Sequence, residues 1–271
     1  MNATIEIIIT IHDEQVKDQL IAQLADIEFD AFEERDGELS AFTHEEKFNP
    51  TTLIQILLPF QLQYKKNIIE EKNWNALWES NFQPVVVDNF CAVRAHFHPA
   101  FTLTKHEIII TPKMSFGTGH HSTTFMMLQQ MGNINFENKV VADFGTGTGV
   151  LAILAEKLGS SSVWAIDIDD WSIENATENI EKNNCCKIAL EKKDSFTPRQ
   201  KFNIILANIN KNVILSNVNN LTSATISNGQ ILVSGLLKQD ETDILEVFTQ
   251  HGFLHRSTVE RNNWICMLFQ S

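Results

Sequence analysis

Three glycines at alternate positions, Gly145, Gly147 and Gly149 of DFGTGTG, stand between the apolar run Lys139–Asp143 and a second apolar stretch, Val150–Leu158. Glycine where a strand turns into a helix lets backbone come close to a ligand. A dinucleotide fingerprint would place its last glycine at position 150, keeping the helix N-terminus open to a pyrophosphate, but Val150 occupies it. The spacing therefore favours an adenosyl-amino acid, which needs room for a ribose and a methionine-like tail. Asp167 ends WAIDID, 22 residues beyond Gly145, where a carboxylate can accept hydrogen bonds from both ribose hydroxyls. Asp169 and Asp170 then open a helix as caps. Asp194 follows the next strand and either meets an adenine amino group or closes a turn. Asn208 ends LANIN; its carbonyl can accept from an incoming nitrogen and orient it, or it makes an Asx turn. A second glycine- and threonine-rich turn, MSFGTGHHSTT (Met114–Thr124), comes earlier. His120 or His121 could relay a proton there, or hold only a structural bond. His96 and His98 form an HxH pair without a third ligand nearby, so no metal site is expected.

These residues need an alternating scaffold. From Lys139 the chain reads strand 139–143, helix 150–158, strand 163–168, helix 171–183, strand 187–192, strand 202–209, helix 213–226, strand 230–234, helix 240–251 and strands 254–260 and 264–269. Seven strands with continuous apolar runs such as FNIILANI predict an α/β fold with a doubly wound parallel sheet, which binds ligands beyond the carboxyl ends of its strands. The first part reads strand 4–11, helix 13–27, two short strands either side of ERDGEL, helix 50–58 and strand 62–69. Asp36-Gly37 is a hairpin signal and Asn49-Pro50 a helix start. The order βαββαβ predicts a small α+β, ferredoxin-like domain. The domains expected are thus 1–69, a connection over 70–89 with a short helix presenting Trp74 and Trp78 on one face, and 90–271, which opens with two strand-like pieces around HFHPAF.

The chain has 271 residues, 43% of them apolar, and a net charge of −13. Residues 1–60 hold 13 acidic side chains against three basic ones. That balance argues against a nucleic-acid track and suits either a solvated face or guidance of a basic partner. No apolar run approaches the length of a membrane span, and MNATIEIIIT alternates like a strand, so a cytoplasmic protein is expected, as a monomer. Cys91, Cys185, Cys186 and Cys266 show no CxxC spacing and read as reduced thiols.

GxGxG, an acid ending the second strand and an asparagine ending the fourth resemble class I methyltransferases that use S-adenosylmethionine. FGTGHHSTT and WNALWESNFQPV resemble one family within them, the methyltransferases of the eleventh large-subunit ribosomal protein, over nearly the whole chain. The resemblance implies cofactor contacts at Thr124, Gly145, Asp167 and Asn208. It also implies that the first loop, with Phe116, Gly117 and Thr118, closes over the methionine part while Gly145–Gly149, with Gly147 at its centre, forms the floor. Asn208 is the catalytic candidate, and Asp194 the adenine-side one. The implied acceptors are lysine side-chain amines and an N-terminal amine of that basic ribosomal protein, recognised by the acidic first domain. Thr111-Pro112-Lys113 replaces the family's DPG, GTGHHSTT its GTGTHPTT, and GTGTG its GCGSG. Three other readings stay open: a methyltransferase for another protein, RNA or a small molecule; a nicotinamide oxidoreductase, disfavoured by Val150; and a non-catalytic adaptor.

Overall fold

In the computed structural model, residues 3–35, 37–70, 82–112 and 119–271 are described. The chain divides into two compact units, Met1–Asn81 and Phe82–Ser271.

In the first unit the alternation of ATIEIIIT produces strand β1 (Ala3–Thr10), and Ile5, Ile7 and Ile9 point to one face. That face is buried under Leu20 and Leu24 of helix α1 (Glu14–Ala25) and Leu53 and Leu57 of helix α2 (Pro50–Leu57). Asn49 caps α2, its side chain accepting the amides of Thr51 and Thr52. Strands β2 (Ala31–Arg35), β3 (Glu38–His44) and β4 (Tyr64–Glu70) complete an antiparallel sheet in the order β2-β3-β1-β4. Gly37, at φ +77°, takes the left-handed conformation that the β2–β3 turn needs. This is the ferredoxin-like order expected from the sequence. Asp13, Glu14, Asp18, Asp26, Asp30, Glu45 and Glu46 are exposed.

The second unit opens with a three-stranded sheet in which β5 (Val85–Val87) pairs antiparallel with β6 (Cys91–Ala95), and β6 parallel with β7 (His106–Ile110). Strand β5 lies in the segment read from sequence as a connection. The helix expected around Trp74 and Trp78 lies outside the described residues. After helix α3 (Ser122–Met131) the elements alternate: β8 (Val140–Phe144), α4 (Val150–Lys157), β9 (Ser162–Asp167), α5 (Asp170–Lys182), β10 (Ile188–Lys192) and β11 (Phe202–Asn208). They continue with α6 (Lys211–Ser223), β12 (Thr225–Leu237), α7 (Glu241–Gln250), β13 (Leu254–Arg261) and β14 (Trp264–Gln270). The sheet order is β10-β9-β8-β11-β12-β14-β13, parallel except for β14, which runs antiparallel to both neighbours.

Both faces of this sheet are covered, which explains the continuous apolar runs. Met126 and Met127 of α3 with Leu151 and Leu154 of α4 pack on one face. Ile214 and Leu221 of α6 with Ile244 and Phe248 of α7 pack on the other. Strand order reverses between β8 and β11, and such a switch point opens a crevice at the strands' carboxyl ends. None of the described helices is long and apolar enough to cross a membrane.

Besides β5, three elements differ from the sequence expectation. Helix α3 was not expected, because seven of its ten residues are buried and no amphipathic period shows. Strand β12 spans 13 residues rather than 230–234, with a register shift between Val233 and Leu236 that brackets Gly235 at φ +84°. Helix α6 accordingly ends at Ser223.

Candidate functional site

A cleft of about 660 Å³ lies at the switch point, walled by the ends of β8, β9, β11 and β12 and by Trp264 at the start of β14. Its floor is the glycine turn. Gly145, Gly147 and Gly149 all have positive φ, at +75°, +55° and +80°. A Cβ on Gly145 would run into the Cγ2 methyl of Ile209, so both dihedral angle and space demand glycine there. The turn is held by the end of β9: the amides of Gly145 and Thr146 donate to the Ile166 carbonyl at 2.9 Å each, and the amide of Gly147 donates to Asp167 Oδ2 at 2.9 Å.

Asp143, at the end of β8, anchors the turn from beneath. Its Oδ2 accepts the Thr146 hydroxyl at 2.6 Å and the Ala152 amide at 3.2 Å, while its Oδ1 is buried without a hydrogen-bond partner. Complete burial pushes this carboxyl up to about 7, and the nearby Asp167 adds to the rise.

Asp167 lines the cleft where the sequence places it. Its Oδ1 accepts the Asp169 amide at 3.1 Å. Two backbone amides thus orient a carboxylate whose remaining lone pairs can accept hydroxyl groups. Asp169 caps α5, accepting the Trp171 amide at 3.2 Å, and also lines the cleft; Asp170 pairs with Lys192 at 2.6 Å. Asp194 lines the same cleft and accepts the Ser195 hydroxyl at 3.0 Å. Three carboxylates against Lys193 give the wall an acidic bias, which suits a cationic ligand.

Asn208, at the end of β11, is the most informative side chain. Its amide nitrogen donates to Thr124 Oγ1 at 3.1 Å, which turns the carbonyl oxygen away from α3. That oxygen is buried with no hydrogen-bond partner. An unmet buried acceptor costs about 1–3 kcal/mol, so an arriving N–H donor would recover it. Thr123 and Thr124 are both fully buried, and of the two it is Thr123 that lines the cleft. The turn of α3 that brings Thr123 to the cleft points Thr124 at Asn208.

His121 caps α3, its Nδ1 bonded to Thr123 Oγ1 at 2.8 Å and its ring lying edge-on to Trp264 at 4.8 Å. His120 bonds the Gln83 carbonyl through Nε2 at 2.8 Å. Phe116, Gly117 and Thr118 lie outside the described residues. The His98 ring bonds the Phe82 carbonyl at 2.6 Å and the Ala95 amide at 3.2 Å, a backbone-bracing role.

Ile168, Asn210, Val213, Gly235 and Trp264 also line the cleft and were not expected from the sequence. Asn210 caps α6 by accepting the Val213 amide, and a cap followed by an apolar run was a readable signal. Gly235 carried a fainter one, a glycine ending ILVSG. A Cβ there would drive into the backbone of Ile209, whose carbonyl carbon would be 2.7 Å away. Trp264 had none, since only the antiparallel β14 brings it to the crevice.

The cleft thus joins a glycine cradle, a carboxylate at the end of β9 and an orphaned amide oxygen. The family model described as "Ribosomal protein L11 methyltransferase (PrmA)" matches residues 6–271. Among curated relatives of that name, the Porphyromonas gingivalis protein is 39% identical over 264 residues, 94% of this chain and 91% of its own length. The one from Phocaeicola vulgatus is 35% identical over 277 residues, 98% of each chain. A crystal structure described as a ribosomal protein L11 methylase from Lactobacillus delbrueckii subsp. bulgaricus superposes with a TM-score of 0.64 at 29% identity, covering 69% of this chain and 98% of that one. With the family model spanning both units and relatives aligned almost end to end, the chain belongs to the ribosomal protein L11 methyltransferase (PrmA) family.

Proposed function

We propose that this chain transfers methyl groups from S-adenosylmethionine to lysine side-chain amines and the N-terminal amine of the eleventh large-subunit ribosomal protein. The family match and the names of the relatives support the substrate. The observation that carries the chemistry is the buried, unpartnered oxygen of Asn208 at the end of β11. The cofactor would supply an already activated methyl on a sulfonium sulfur.

The chain's own residues bind, align and exclude water. Asp167, oriented by the amides of Gly147 and Asp169, accepts the ribose hydroxyls. The turn Gly145–Gly149 seats the nucleoside and amino-acid parts, and Asp194 lies at the adenine side. Phe116, Gly117 and Thr118 cover the methionine part. Asn208 accepts an N–H of the incoming amine and aims its lone pair along the line of transfer, a gain in effective molarity rather than in basicity. A free lysine, with pKa about 10.4, gives up its proton at neutral pH at a cost of roughly 4–5 kcal/mol. Burial beside a cation lowers that cost, and the proton leaves to water.

The acidic first domain expected from the sequence, residues 1–69, holds the basic ribosomal protein. The enzyme acts as a cytoplasmic monomer. The test is incubation of the full chain with labelled S-adenosylmethionine and isolated ribosomal protein, followed by intact-mass and peptide mass spectrometry. Mass steps of one methylene, mapped to lysines and the N-terminus, support the proposal. Label appearing only in another ribosomal component, or in RNA, sinks it.

A further inference from the structure

Helix α5 carries three asparagines at positions 175, 179 and 183, one per turn on the same face, the last of them just past its C-terminus. Asn175 and Asn179 are fully buried and Asn183 nearly so. Apolar residues would satisfy a packed helix face more simply, so the destination of these amides matters.

They serve backbone that has no strand beside it. Strand β7 is at one edge of the three-stranded sheet, which leaves one row of its amides and carbonyls unpaired. Asn183 accepts the Ile109 amide at 3.0 Å and donates to the Ile109 carbonyl at 2.7 Å. Two residues along, Asn179 accepts the Thr111 amide at 2.7 Å and Asn175 donates to the Thr111 carbonyl at 3.1 Å. The periods match, since four residues of helix advance about 6 Å and two residues of strand about 6.6 Å. A ladder of side-chain amides thus stands in for a neighbouring strand.

Asn179 does one thing more. Its amide nitrogen donates to the Thr148 carbonyl at 2.8 Å, inside the glycine turn that floors the cleft. Beside it, Ala176 packs so closely on Gly149 that a Cβ there would be 3.3 Å from the alanine methyl. The same face of α5 therefore grips β7 and the back of the glycine turn together.

We infer that Asn179 is a positioning residue for the cofactor: by bonding Thr111 with its oxygen and Thr148 with its nitrogen, it sets the height of the glycine turn and couples that turn to β7. The inference rests on the proposed reading that this turn seats S-adenosylmethionine. Asn183, which bonds Ile109 but not the turn, is its matched control.

The test uses the full chain and S-adenosylmethionine as probe. Asn179→Asp keeps an acceptor for Thr111 but sets a carboxylate against the Thr148 carbonyl in the turn, while Asn183→Asp sets one against the Ile109 and Asn179 carbonyls, neither of them in the turn. Asn179→Asp should weaken cofactor binding by calorimetry about tenfold or more, and Asn183→Asp should leave it within about twofold at a comparable loss of melting temperature. Hydrogen exchange on the unmodified chain supplies a reading that no folding failure can spoil. Saturating cofactor should slow exchange of the Thr111 amide about tenfold and leave that of Ile109 within about twofold. Equal effects of the two substitutions on affinity, or equal protection of the two amides, overturn the inference. Absence of binding by the unmodified chain overturns the cofactor reading itself, and this inference with it.

Discussion

Replacing Asp143 by asparagine isolates the electrostatic cost of the carboxyl beneath the glycine turn. The side chain is fully buried, one oxygen takes hydrogen bonds from Thr146 and Ala152, and the other takes none. Burial raises the carboxyl to about 7 from an ordinary value of 3.8. The folded protein therefore holds this proton more tightly than the unfolded chain. The resulting stabilisation is complete below about pH 4, declines as pH rises, and is lost once pH passes about 7. Between pH 5 and pH 7 the loss is roughly two pH units at about 1.4 kcal/mol each, or ~3 kcal/mol. Asparagine keeps an acceptor for Thr146 and Ala152, and the fixed cost of its amide nitrogen does not vary with pH. The variant should thus gain on the parent protein as pH rises from 5 to 8, by several degrees in melting temperature and at most about 10 °C for a unit of this size. Thermal melts of both proteins followed by circular dichroism across that range measure the difference. The level of the two curves is immaterial, and only their divergence counts. Curves that stay parallel from pH 5 to pH 8 would refute the reasoning, since a carboxyl already ionised at pH 5 has no such cost to lose.

Asp167→Ala should raise the dissociation constant for S-adenosylmethionine by the worth of charge-assisted bonds, about 1.5–3 kcal/mol or roughly ten- to a hundredfold, in isothermal calorimetry; unchanged affinity removes it from the ribose. Asn208→Ala should lower turnover far more than cofactor affinity when rates and calorimetry are compared, and the reverse pattern moves it away from the reacting end. Gly235→Ala should cost about 1–3 kcal/mol in stability, because its φ of +84° and the Ile209 backbone both resist a Cβ. It should also slow turnover by shifting Ile209 against Asn208; wild-type rates at an unchanged melting temperature would show that the β12 kink is tolerant. Added salt should raise KM for the basic ribosomal protein while leaving that for S-adenosylmethionine nearly constant, as expected of an exposed acidic docking unit; equal insensitivity of both would remove the electrostatic role of residues 1–60.

What the sequence by itself determined are the features that a short stretch of backbone dictates. Alternate glycines at a strand-to-helix turn must take positive φ, an acid or amide ending a buried strand must emerge at the carboxyl edge, and period-two isoleucines must form a strand with one buried face. DFGTGTG, Asp167, Asn208 and the βαββαβ order of the first unit were legible for that reason. Tertiary structure alone decided which threonine lines the cleft, because Thr123 and Thr124 are equivalent until α3 is docked and sets one beside His121 at the cleft and the other against Asn208. It alone brought Trp264 and Gly235 to the wall, since both come from the strands that close the sheet, far along the chain from the glycine turn. The asparagines of α5 look in sequence like ordinary polar helix residues. Their meaning appears only when an unpaired strand edge and the back of a turn are packed against them, because a hydrogen bond between distant segments leaves no local pattern to read.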